Sequence, residues 1–236
     1  MNLVRYADRP DLREQRSLTA QVFPEFLNHH ALAHLWPDVY TRFPAFQVAL
    51  LDDDVIVAEA HALPIPWDGT VDGLPVGWEA AFEAGMASGL GPTALSMLAI
   101  SVLPERQGEG LGARMLAESV GAARTAGLGA VLACVRPTLK ERYPLIPIEA
   151  YMTWRRPDGA HFDPWIRLHE RAGGEIMCEA PGSMAIEAPV SDWESWMKMA
   201  FPADGDYVAP GMLAPLVVRS GIGRHVEPNV WVCHRT

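Results

Sequence analysis

The chain has 236 residues, 49% of them hydrophobic, and a formal net charge of −10; that length holds one large domain or two small ones with a sizeable core, and the acidic balance excludes a nucleic-acid binder, which would carry a basic footprint. Its three cysteines, Cys134, Cys178 and Cys233, form no Cys-x-x-Cys pair, which excludes a disulfide framework and fits a reducing compartment. The first residues have no apolar signal core and no apolar run is long enough for a bilayer, so a soluble cytoplasmic protein with no membrane partner is expected.

NLVRYA, residues 2–7, reads as a short strand. In DRPDLREQRSLTAQVFPEFL, Pro10 and Asp11 are helix-start signals and Pro24 interrupts. ALAHLWPDVYTRF holds a second helix or a turn. FQVALLDDDVIVAEAHAL has two β-rich runs around three aspartates, a hairpin pattern. Residues 64–92 are rich in Pro and Gly at both ends, with a helix near 78–87, and read as an excursion from the core. TALSMLAISVL, 93–103, is a buried-strand run. After the glycines at 108–112, Leu111, Met115, Leu116, Val120 and Ala123 recur at helical spacing, and Gly127 and Gly129 close that helix. AVLACV, 130–135, is apolar at every position, as a strand covered on both faces would be. Strand, helix, strand in that order implies a parallel crossover. A loop with four prolines leads to FDPWIRLHERAGGEI, where Asp163 is an N-cap, Pro164 the first helical residue and Gly173 the stop. The tail has strand-like runs near GSMAIEA and NVWVCHR.

His29, His30 and His34 include an i, i+4 pair, but no carboxylate lies between them and no third ligand is evident. They read as a polar helix face, and no metal is expected. The eight tryptophans read mostly as core, with some in the insertions lining a pocket.

SVLPERQGEGLGARML, 101–116, carries the chemistry. A helix N-terminus exposes unpaired backbone N–H groups and a partial positive charge. Glycines ahead of it let a phosphate approach without meeting a Cβ. The stretch therefore reads as a diphosphate cradle, weighed against a glycine turn that holds nothing. There is no P-loop lysine. Gly108, Gly110 and Ala113 satisfy the loose dinucleotide fingerprint, but four residues separate strand from glycine, and no carboxylate follows about twenty residues on to hold a ribose.

VLPERQGEGLGARML resembles the acetyl-CoA signature of the GCN5-related N-acetyltransferase superfamily, Gln/Arg-x-x-Gly-x-Gly/Ala, with Gln107, Gly110 and Gly112 in the fixed positions. The order of elements is similar over 47–180. The resemblance implies an α/β (α+β) fold: a mixed, mainly antiparallel sheet with a splayed parallel central pair, flanked by helices. One such domain over 1–236 would carry insertions near 64–92 and 138–162 and an extension, 181–236. The resemblance further implies that backbone N–H groups of Gln107, Gly108, Glu109, Gly110, Leu111 and Gly112, with Ala113 opening the helix, hold the diphosphate of acetyl-CoA. Pantetheine would pair with the strand edge at Ile100, Ser101 and Val102, which splays after a bulge there. Backbone near Val102 would polarise the thioester carbonyl.

Acyl transfer to an amine needs a group that takes the amine proton and one that protonates the thiolate. The family often carries a Glu in the central strand; LSMLAIS has none. Glu59 and His61 on the hairpin are substitutes, with a structural role for His61 weighed beside a catalytic one. Where the family's late helix often has a Tyr meeting the sulfur, the count back from Gly173 falls on His169, a candidate general acid; Tyr151 is a second. The expected activity is transfer of an acetyl or short acyl group to an amine of a small molecule or peptide. A non-catalytic acyl-CoA sensor and a nicotinamide enzyme are the rivals, and a homodimer through an exchanged terminal strand stays open.

Overall fold

The computed structural model describes residues 1–15, 17–87 and 91–236. The first run forms β1 (Asn2–Arg5), which pairs antiparallel with the hairpin strand that starts after residue 46. The helix expected next is broken. A 3-10 turn at Pro10–Glu14, a four-residue helix α1 (Thr19–Val22) and a second 3-10 turn at Glu25–His29 replace it. Pro24 stops the middle piece, and none of the three has a side-chain cap. Their lone turns are held by tertiary contacts, as short helices must be. Arg16 lies outside the described residues. α2 (Trp36–Arg42) follows.

The aspartate hairpin forms as expected, with β2 (Gln47–Asp52) antiparallel to β3 (Val55–Ile65). Asp53 and Asp54 both have positive φ, 47° and 64°. Two left-handed residues give the turn a twist that matches its strands. The excursion carries α3 (Trp78–Met86); its glycine-rich end at 88–90 lies outside the described residues. β4 (Ala94–Val102), α4 (Leu111–Thr125) and β5 (Ala130–Val135) make the expected crossover. β4 and β5 are parallel from Ala94↔Ala130 to Met97↔Ala133. All six β5 residues are buried, because both faces are covered.

The proline loop holds α5 (Ile148–Tyr151). α6 (Pro164–Arg171) begins as its sequence implies: the Asp163 side chain accepts from the backbone N–H groups of Trp165 and Ile166. The tail is more ordered than its sequence suggests. GSMAIEA falls inside a 15-residue strand, β6 (Glu175–Pro189), which runs into α7 (Val190–Met197). β7 (Gly205–Tyr207), β8 (Leu216–Arg219) and β9 (Ile222–Arg235) follow. The sheet order is β1-β2-β3-β4-β5-β9-β8-β7, and β6 also pairs with β9. The tail thus completes the sheet beside β5.

Residues alternate between the two faces, as the period of a strand requires. Ala94, Leu98, Leu132 and Cys134 join Trp78, Phe82 and Trp193 in one core, against α3, α7 and the N-terminal turns. Leu95, Met97, Val131 and Ala133 join Met115 and Ile166 in the other, under α4 and α6. Among the described residues no helix is long and apolar enough to cross a membrane, and no cluster of three or more His, Cys, Asp or Glu side chains could hold a metal ion.

Candidate active site

Where β4 and β5 part, the sheet opens. Their pairing ends at Met97↔Ala133, although β4 runs on to Val102 and β5 to Val135. The cause is a bulge. His61 and Ala62 of β3 face Ala99 and Met97 of β4, so Leu98 is the extra residue, and an extra residue bends and twists its strand. The bulge expected near residues 100–102 thus lies a few residues earlier. The Leu98 carbonyl is not lost: Trp78 Nε1–H donates to it at 2.8 Å. Beyond the bulge, Ile100, Ser101 and Val102 pair with β3 and, among the described residues, with no strand on their other edge.

A cleft of about 810 Å³ fills this opening. One side is the N-terminus of α4 (Gln107, Gly108, Gly110, Leu111, Gly112) and a face of α6 (Trp165, Leu168, His169). The far side is Thr19, Leu27, Trp36, Trp78 and Met184, from the opposite face of the sheet. The cleft therefore passes through the sheet. Cys134, Arg136, Glu227 and Asn229 line it from β5 and β9 or the loop after β5.

The glycine turn divides its labour. Gly108 and Gly110 have φ of 86° and 78°, with nothing within 4 Å of where a Cβ would stand. They are glycine for backbone conformation, and the space beside them is open. Gly112 has a different reason: a Cβ there would come within 3.0 Å of the Trp165 ring, so it lets α6 close on α4. Gln107 N–H donates to the Pro104 carbonyl at 3.3 Å, and the first helical bond is Arg114 N–H to Gly110 O. Between them, the N–H groups of Gly108, Glu109, Gly110, Leu111, Gly112 and Ala113 have no hydrogen-bond partner among the described residues. The Gln107 N–H, also expected in the cradle, thus already has a protein acceptor. The Glu109 carboxylate, the wrong charge for an anion site, is held by Arg106 at 2.9 Å, which also reaches Asp52 at 2.8 Å.

The catalytic candidates separate. Glu59 and His61 are fully buried and absent from the cleft wall. Glu59 accepts from the Tyr6 hydroxyl at 3.1 Å, from Ser17 Oγ at 2.7 Å and from the Thr19 backbone N–H. Burial pushes its carboxyl up, but His61 and the donors on Ser17 and Thr19 outweigh that and hold it at about 2. It anchors the N-terminal turns, and Thr19 in turn meets Ser101 Oγ at 2.8 Å beside the cleft. His61 is used up by Gln47 at 3.1 Å and by Glu59 and Tyr40 at 3.4 Å. Tyr151 is also buried and off the cleft wall. Its hydroxyl donates to Asp163 Oδ2 at 2.9 Å, so it steadies the cap of α6, and burial with the Asp163 charge raises its pKa.

His169 does line the cleft. It is 1% exposed, stands edge-on to Trp165, and its Nδ1 lies 2.9 Å from Nε2 of His234 on β9. Its Nε2 is buried and has no hydrogen-bond partner among the described residues. Burial, then the neighbouring His234, lowers its pKa to about 3, so the ring is neutral near pH 7.

Several cleft residues carry no local sequence signal. Asn229 is buried, gives Nδ2–H to Ser183 Oγ at 2.9 Å and leaves Oδ1 without a partner among the described residues. Glu227 is buried and paired with Arg136 and His225; burial opposes its charge, and Arg136 and His225 prevail to lower its pKa. The Cys134 thiol is pushed up to about 12 by burial and is inert as a nucleophile. His234, 65 residues from His169, is the partner no spacing rule finds.

No family model matches the chain. The arginine N-acetyltransferase avaD of Aspergillus versicolor is 28% identical over 277 aligned residues, which cover 97% of this chain and 91% of that protein. Two solved structures share the fold across almost the whole length. The loading GNATL domain of CurA from Lyngbya majuscula superposes with a TM-score of 0.65 at 21% identity, over 99% of this chain and 96% of its own. The GNAT-like decarboxylase GphF, in complex with isobutyryl-CoA, gives 0.61 at 20% identity, over 99% and 97%.

Proposed function

We propose that the chain is a member of the GCN5-related N-acetyltransferase superfamily, a reading supported by its similarity to an arginine N-acetyltransferase and by its fold, and that it moves an acetyl or other short acyl group from a CoA thioester directly to an amine. The observation that carries this is the run of N–H groups from Gly108 to Ala113, unpartnered at the start of a 15-residue helix and opening into a cleft that crosses the sheet. Such a terminus favours phosphate. Pantetheine would lie along the free edge at Ile100, Ser101 and Val102, donating and accepting as a further strand would. The thioester would then stand at the opening of the sheet, beside His169.

The acceptor enters from the other face, past Thr19, Leu27, Trp36, Trp78 and Met184. Asn229 lines the cleft, and its buried Oδ1 has no hydrogen-bond partner among the described residues, which makes it a candidate contact for an amine or guanidinium. The similarity to an arginine acetyltransferase makes a cationic amino acid the first acceptor to try, and the acidic chain favours a cation's approach. His169 handles the proton; Glu59, His61 and Tyr151 act through structure. The test is release of free CoA from acetyl-CoA across a panel of amines, arginine included, beside calorimetric binding of CoA. Amine-dependent release supports the reading. Binding without turnover points to a sensor, and no binding overturns it.

A second reading has one observation in its favour. β4 presents no carboxylate to the cleft, and neither buried hairpin candidate reaches it. Loss of CO2 from an acyl-CoA with a β-carboxylate needs no amine base, only a proton for the enolate left behind. A fold neighbour is a GNAT-like decarboxylase. CO2 release from malonyl-CoA without any amine would favour this second reaction.

A further inference from the structure

We propose that Arg136 reads a carboxylate on the acceptor, so that the amines this site takes are those of free amino acids. The inference rests on the acyl-transfer reading above and names the class of acceptor that the same cleft selects.

Arg136 follows the last residue of β5 and lines the cleft. Register puts it on the acceptor side. β5 and β9 pair from Ala130↔Arg235 to Val135↔Val230, so one step further Arg136 stands beside Asn229. Alternation places Arg136 on the face of Cys134, which packs with Trp78 and Trp193. Leu111 and Met115, at the start of α4, belong to the core on the opposite face. The far end of the side chain agrees. Arg136 Nη2–H donates to the Gly211 carbonyl, and a Cβ on Gly211 would stand 3.1 Å from Pro24, in the N-terminal turns.

The guanidinium is fixed in place and only partly spent. Arg136 Nε–H donates to Glu227 Oε1, and the other oxygen of Glu227 meets His225 Nε2. Glu227 is 1% exposed with both oxygens engaged, so it has little to offer a substrate cation. A guanidinium carries five N–H bonds. Arg136 uses one at Nε and one at Nη2, and Nη1 has no hydrogen-bond partner among the described residues. The side chain is 18% exposed, and Nη1 is not among the buried atoms that lack a partner. Nη1 thus keeps its access to water in a residue that borders the cleft.

These remaining N–H groups can only donate, and a carboxylate matches them with two oxygens. Arg106, the other arginine of the cleft wall, is held by Glu109 and Asp52. Leu27, Trp36, Trp78 and Met184 wall the acceptor side, and a charge pair among apolar groups is screened less than one in water. Asn229, beside Arg136, is the candidate contact for the amine, so one amino acid can meet both residues.

The test is calorimetric binding to the full chain saturated with CoA of arginine, lysine, leucine and phenylalanine, each beside its α-amide. The acid is expected to bind at least tenfold more tightly than the amide in every pair that binds, the loss of a charge-assisted contact. Equal affinity, tighter binding of the amides, or no binding of any amino acid overturns the proposal. Binding needs no turnover. Acid-selective binding without amine-dependent CoA release would keep the carboxylate site and sink the acyl-transfer reading; release with acids and amides alike would keep that reading and sink this site. Arg136→Lys preserves the charge that Glu227 needs but loses the fork, and is expected to narrow the acid-to-amide ratio to about threefold or less. A folded Arg136→Lys with the wild-type ratio refutes the role of Arg136. If that variant does not fold, the double variant Arg136→Met, Glu227→Gln, which removes both charges together, takes its place.

Discussion

Replacing Gly110 by alanine separates a cradle from a mere turn. Gly110 has φ of 78° and open space at its Cβ position; Gly127, past the other end of α4, has φ of 73° and the same open space. Alanine at either site pays only the left-handed penalty, about 1–2 kcal/mol. At roughly 2–4 °C per kcal/mol for a chain of this size, each variant should melt about 2–8 °C lower, and the two by similar amounts. They differ in the cleft, which Gly110 lines and Gly127 does not. A methyl group at Gly110 stands where a phosphate would approach. Displacing it by even one or two charge-assisted hydrogen bonds, about 1.5–3 kcal/mol each, weakens CoA binding by tenfold or more. Calorimetry with CoA and thermal melts on Gly110→Ala, Gly127→Ala and wild type measure both. Equal CoA affinity in the two variants would show that the turn holds no phosphate, and unequal melting losses would undo the strain argument.

Three further outcomes are expected. Glu59→Gln removes an ionised carboxyl held at about 2 against an ordinary 4.5, a contribution on the order of 3 kcal/mol. Because the folded value is depressed, that stability is full above about pH 4.5 and is lost as pH falls toward 2, so the melting gap between wild type and variant should close over that window and stay constant above it. Asn229→Ala should raise the acceptor KM several-fold and leave CoA affinity unchanged, read by steady-state kinetics beside calorimetry; an unchanged acceptor KM would remove Asn229 from the acceptor site. Gly174→Ala forces a Cβ against His234 and the His169 carbonyl, an overpacking of about 1–3 kcal/mol, and should lower both melting temperature and kcat; retention of full kcat would show that the two rings need not meet.

Local chemistry explains what could be read from the chain alone. The hairpin, the crossover and the cap of α6 rest on neighbours within a few residues: two aspartates, Asp53 and Asp54, that accept positive φ, an all-apolar strand, and Asp163 ahead of Pro164. The glycine turn was legible for the same reason, since its N–H groups are left free by helix geometry itself. The broken N-terminal helix was not, because Ser17 and Thr19 are held by Glu59, some 40 residues away. Nor was the long β6, whose Pro181 and Gly182 look like a turn but fall at a register shift against β9.

The sequence by itself determined the glycine turn ahead of α4, because a helix N-terminus preceded by left-handed glycines is built from consecutive backbone atoms. Only the tertiary structure decided which of the candidate side chains lines the cleft. Glu59, His61 and Tyr151 have the right functional groups, but packing turns each toward a structural partner. His169 lines the cleft wall, and its ring partner, His234, comes from a strand 65 residues on. What a side chain meets depends on what packs against it across the fold, and distance along the chain says nothing of that.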